Sequence, residues 1–210
     1  MSFTGATAVP VLIVPDKSKP LNIPVFQSRI PKPEELVVLD KPLLEATIEL
    51  GNLLKDCQAR WALAGDIGEI LNGVNVQPDH LTILTNVGGC EEISKKLERF
   101  QVEASRHVET QIGRNAEVEP KPLPIMIKSY RSRFNLDGQR LDVHGDLRIK
   151  VGDWDWGDPI DYEPEYVYVV GVKVPVVPLE LKIRLYRGLG WYDRVSKIHA
   201  AMARRHHKIG

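Results

Sequence analysis

The sequence predicts an α+β chain: a mixed β-sheet flanked by helices, with a β-hairpin extension and C-terminal helices closing it. Three observations lead there. Leu43, Leu44, Ile48, Leu50, Leu53, Leu54 and Cys57 recur at helical spacing after Asp40. Short apolar runs stopped by glycine alternate with such helices, as buried strands do. Two long runs, 125–136 and 139–150, meet at Asp137-Gly138, a strong two-residue hairpin signal.

The elements follow in order. Pro10, Pro15, Pro20, Pro24, Pro31, Pro33 and Pro42 fall in the first 42 of 210 residues and exclude a long helix or a central strand there. Residues 1–40 are read as a proline-rich extended arm, packed on its own domain or on a neighbouring subunit. Asp40 is a plausible N-cap, with Pro42 tolerated in the first helical turn. Trp61-Ala62-Leu63-Ala64, stopped by Gly65, reads as a buried strand, and Asp66-Ile67-Gly68-Glu69 opens a short helix ending near Gly73. His80 to Asn86 alternates at strand period, with His80, Thr82 and Leu84 on one face. Cys90, Ile93, Leu97 and Phe100 mark an amphipathic helix. Val102–Val108 reads as a strand, Pro120, Pro122 and Pro124 as a loop, and 154–164 as an acidic loop whose tryptophans fold back onto the core. Tyr166–Val170 and Val172–Val177 form a second hairpin through Gly171; helices begin at Pro178 and near Trp191. The expected domains are the arm (1–40), an α/β core with its hairpins (41–177) and C-terminal helices packed on that core (178–210).

Composition narrows the function classes without choosing one. Lys+Arg and Asp+Glu are 28 each, so net charge is zero and nucleic-acid binding through bulk charge is not indicated. No apolar run approaches the ~18 residues of a membrane span, so no membrane partner is expected. Cys57 and Cys90 are too few for a disulfide scaffold, and a cytoplasmic location is the expectation.

The element order and four motifs resemble the nucleotidyltransferase superfamily over roughly residues 42–203. Trp61-Ala62-Leu63-Ala64-Gly65-Asp66 stands where that family has its Gly-Ser or Gly-Gly turn. Gly73-Val74-Asn75-Val76 matches a recurrent Gly-Val-x-Val before the second strand. Leu141-Asp142-Val143-His144-Gly145-Asp146 looks like the strand bearing the third carboxylate. Gly171-Val172-Lys173-Val174-Pro175-Val176 followed by Leu179-Glu180 is similar to the family's end.

The resemblance implies a nucleotidyltransferase-like core, a nucleoside triphosphate (NTP) partner and Mg²⁺ or Mn²⁺ if the protein is active. In that family two metal ions hold the triphosphate and offset charge on the attacking and leaving oxygens. They need an Asp-x-Asp pair on one strand face and a third carboxylate on the next strand. The pair falls here on His80 and Thr82, so neither ligand is a carboxylate, and Asp79 is expected to point to the opposite face. Asp142 remains as the catalytic and metal-ligand candidate, and Gly65, Asp66, His80 and Thr82 as the nucleotide or phosphate positions. Two have a bland alternative: Asp66, with Glu69, as a helix-capping box, and Asp142 as a solvated strand residue. His80, Asp142 and His144 could also form a two-histidine, one-carboxylate metal site. The resulting expectation is a catalytically degenerate member keeping a cleft for a nucleotide or a protein partner. The alternatives are an active, divergent metal-dependent transferase and an oligomeric interaction module, joined to a protein partner or to copies of itself as a homo-oligomer, with an empty cleft.

Overall fold

The computed structural model describes residues 39–115 and 122–206, so most of the proline-rich arm lies outside the described residues. Helix α1 (Lys41–Leu53) begins where the Asp40 carboxylate accepts from the Lys41 amide. Gly51 lets it lie flat on the sheet, for a Cβ there would stand 2.7 Å from Val172 Cγ1. Strand β1 (Ala62–Leu63) leads directly into α2 (Gly65–Leu71). Strand β2 (Leu81–Thr85) leads into α3 (Val87–Lys96), whose cap is the Asn86 side chain accepting from Gly89 N. Three long strands follow: β3 (Gln101–Asn115), β4 (Leu123–Leu136) and β5 (Gln139–Val151). The hairpin β6 (Glu165–Val169) and β7 (Val172–Val176), then α4 (Leu179–Gly188) and α5 (Tyr192–His206), complete the chain.

The strands form one seven-stranded sheet in the order β3-β4-β5-β2-β1-β7-β6. It is mixed, because β2 runs parallel to β5 and β1 parallel to β7 while the other neighbours are antiparallel. Leu63, Ile83, Leu141, Val143 and Phe134 share a core with Leu50 of α1, Ile67 of α2, Ile93 of α3 and Ile198 of α5. Burying each such side chain contributes about 1.5–3 kcal/mol. Residues of alternate parity on β2 and β5 therefore point to the other face, and that face positions the candidate site. No helix among the described residues is long and apolar enough to cross a membrane.

Several elements differ from the sequence reading. β3 runs to Asn115, well past Val108, because pairing with β4 from Gln101↔Phe134 to Asn115↔Leu123 outweighs its weak apolar pattern. Pro124 is not in a loop but in β4, opposite Arg114, at the end of that ladder. His80 precedes β2 rather than lying in it, so strand alternation does not govern Asp79. Asp79 Oδ1 instead lies 2.5 Å from His80 Nδ1. In the acidic loop Trp154 is 62% exposed and does not fold back onto the core. Trp156 is covered by the Lys128 and Lys150 ammonium groups, 4.5 and 5.6 Å from its ring centre.

Candidate functional site

The site is a rung of side chains across four strands. Register pairs Glu103 of β3 with Arg133 of β4, Arg133 with Asp142 of β5, and Asp142 with Thr82 of β2. Neighbours across a sheet project to the same face, so the four form one polar row. The adjacent rung holds Arg106, Arg131, His144 and Leu84. The Gly65 turn borders Thr82: a Cβ on Gly65, where φ is +56°, would lie 3.6 Å from Thr82 Oγ1.

Asp142 sits where the resemblance requires the third carboxylate, but both its oxygens are engaged. Arg133 Nε donates to Oδ1 at 2.7 Å, and Arg140 donates to Oδ2 through Nε at 3.1 Å and through Nη2. The residue is 3% exposed, which overturns its reading as a solvated strand position. Burial pushes its pKa upward, but hydrogen bonds from Arg140 and Arg133 and their charges outweigh that and hold it at about 2. Arg133 Nη1 also donates to Glu103 at 2.6 Å, and Arg131 Nη2 reaches the other Glu103 oxygen at 2.9 Å.

His144 is 8% exposed, and its Nδ1 shares a 2.8 Å hydrogen bond with Ser129 Oγ. Burial lowers its pKa to about 4. Asp142 opposes that shift, while Arg131, His80 and Arg140 reinforce it, so the ring is neutral at neutral pH. His80, Thr82, Asp142 and His144 thus lie on neighbouring positions. They do not assemble as ligands: among the described residues no three His, Cys, Asp or Glu side chains are grouped to hold a metal ion. The donor set does not fit a divalent cation either. Thr82 offers a neutral hydroxyl, and a metal reaching Asp142 would have to displace two guanidinium groups.

Asp66 and Glu69 do not form the expected capping box. The N-cap of α2 is Ala64, with no side-chain cap. Asp66 is held bidentately by Arg194 of α5, at 2.9 and 3.1 Å. Glu69 is fully buried and accepts from Tyr186 Oη, Lys182 Nζ at 3.5 Å and Arg194 Nη1 at 3.3 Å. Lys182 Nζ also donates to the Gly65 carbonyl at 2.6 Å, fixing the turn from α4. A buried carboxylate is costly unless paired, and here the pairing cations arrive more than 100 residues later in the chain.

Two clefts lie elsewhere, flanking Asp146 at the carboxyl end of β2. One, of about 690 Å³, is lined by His107, Lys128, Tyr130 and Arg148 among others. A second, of about 310 Å³, is lined by Arg60, Asn86 and Tyr162. Neither is lined by Thr82 or Asp142.

The architecture is that of the nucleotidyltransferase fold. The crystal structure of TM1012, a candidate nucleotidyltransferase of Thermotoga maritima, superposes with a TM-score of 0.60. It is 24% identical over 79% of this chain and 96% of that one. A lincosamide antibiotic adenylyltransferase, LnuA, is 13% identical over 78% of this chain and 98% of its own, with a TM-score of 0.43. No protein-family model matches the sequence, and no curated protein matches it.

Proposed function

We propose that this chain is a nucleotidyltransferase-fold protein that has lost two-metal nucleotidyl transfer and keeps its sheet-face site for binding a nucleotide or a protein partner. The carrying observation is Asp142 with both oxygens bound to Arg133 and Arg140 beside Thr82. Transfer in this fold requires carboxylate oxygens free to bridge metal ions. The Gly65 turn argues for retained binding, since Lys182 and Arg194 still tie it down from α4 and α5. Assembly through the β3 edge, which no described strand pairs, is the weaker reading. That edge carries Arg106, Glu109 and Arg114 and is broken by three register shifts, features that discourage strand addition. The free thiols Cys57 and Cys90 suit a reducing, cytoplasmic setting.

Incubating the full chain with each labelled NTP, with Mg²⁺ or Mn²⁺ and a panel of RNA, protein and small hydroxyl acceptors, tests the loss of transfer. The expected result is no labelled product. Metal-dependent label on any acceptor, lost in Asp142→Asn, overturns the reading.

A further inference from the structure

A divalent metal in this fold offsets the charge of a triphosphate and gives its oxygens fixed contacts. Guanidinium groups can do the same two things. Each is permanently charged and presents five N–H donors in a fork matched to phosphate oxygens. We propose that Arg131, Arg133 and Arg140 form a metal-independent seat for the polyphosphate of a nucleoside triphosphate, an inference that rests on the binding reading above.

The charge balance favours it. Four arginines (Arg106, Arg131, Arg133 and Arg140) and two carboxylates (Glu103 and Asp142) form one ion-pair network, so it carries an excess of 4 − 2 = +2. Exposed Asp79, which lies within electrostatic range of Arg140, reduces that excess to +1 without abolishing it. The neutral His144 ring adds no charge. Donors remain to be used. Arg140 turns only Nε and Nη2 to Asp142, and its side chain is 50% exposed. Arg131 Nε is buried with no hydrogen-bond partner among the described residues, a donor that Glu103 and Asp142 leave unused. The network also ends in the right place. Thr82 lies directly opposite Asp142 and beside the Gly65 turn, so an anion on the arginines has the turn and a hydroxyl next to it.

Calorimetric titration of the full chain with inorganic tripolyphosphate and the four NTPs, first in excess EDTA and then in Mg²⁺, tests the seat. Arg140→Gln removes an exposed arm and leaves Asp142 paired with Arg133. Arg99→Gln, on the Glu49 pair outside that network, controls for bulk charge. The expected result is binding in EDTA that weakens roughly tenfold or more in Arg140→Gln, because charged hydrogen bonds are lost, and is unchanged in Arg99→Gln. Equal melting curves for the variants show that folding is not the cause. Binding that needs Mg²⁺ overturns the seat but leaves the binding reading standing, unless label is also transferred, when both fall. Binding in EDTA that is untouched by Arg140→Gln, or equally reduced by Arg99→Gln, overturns the seat alone. No binding under either condition overturns the seat and leaves a protein partner as the only occupant.

Discussion

His144 makes acid stability the sharpest physical test of the site. Its pKa is about 4 in the folded chain against an ordinary 6.5, chiefly because the ring is buried. Between those values the unfolded chain binds a proton that the native chain does not. The unfolding free energy therefore rises with pH across the window and is lost on acidification. The difference of 2.5 units, at 1.36 kcal/mol each, makes this about 3 kcal/mol. Urea unfolding followed by tryptophan fluorescence from neutrality to about pH 4 reads the slope. In His144→Gln, whose amide can still bond Ser129, the share due to this ring vanishes. Imidazole NMR resonances then assign the titration directly. Arg140→Gln should move the His144 titration upward, because that guanidinium is one of the cations opposing its protonation. A His144 that titrates near 6.5, or a slope identical in wild type and His144→Gln, refutes the reasoning.

Other outcomes follow from the same networks. Lys182→Met should cost about 3 kcal/mol, the low end for breaking a buried pair because Tyr186 and Arg194 still reach Glu69. Denaturation of Lys182→Met and of Lys182→Met/Glu69→Gln checks it, the double variant recovering part of the loss. The Lys182 ammonium, lowered by burial to about 8 from 10.5 despite Glu69, should make wild type gain stability as pH rises through that window, a gain absent in Lys182→Met. Asp142, held at about 2 against 3.8, contributes stability that is lost as pH falls through that interval, and Asp142→Asn should remove this loss. Gly68→Ala would place a Cβ 2.5 Å from the Leu63 carbonyl oxygen and should destabilise by about 1–3 kcal/mol, whereas Gly88→Ala, whose nearest contact is 3.7 Å, should not. Paired melting curves decide that comparison.

Much of the fold was legible because its signals are local. The spacing from Leu43 onward requires a helix, although α1 stops at Leu53 and not at Cys57, and the Asp137-Gly138 turn fixes the β4–β5 register from Leu136↔Gln139 outward. Counting along that hairpin puts Arg133 opposite Asp142 and Arg131 opposite His144. Half of the arginine cluster was therefore written in the sequence, in residues that carried no motif. β3 was read too short because its pattern is polar on both faces; its partner β4 decides its length.

The rest of the site depends on contacts between segments far apart in the chain. Glu69 follows Asp66 at the spacing of a capping box, and a local reading assigns both to the helix end. A fully buried Glu69 cannot serve there, because Tyr186, Lys182 and Arg194 supply the charge and donors it needs. Asp142 shows the same logic with a functional consequence. A buried Asp142 beside the neutral Thr82 would be uncompensated if it kept no cation. Arg133 and Arg140 supply that cation permanently, so the charge of Asp142 is balanced by the chain itself. In the proposed seat a polyanion would be held only through donors that Asp142 leaves over. Asp142 would thereby limit how tightly the arginines hold it.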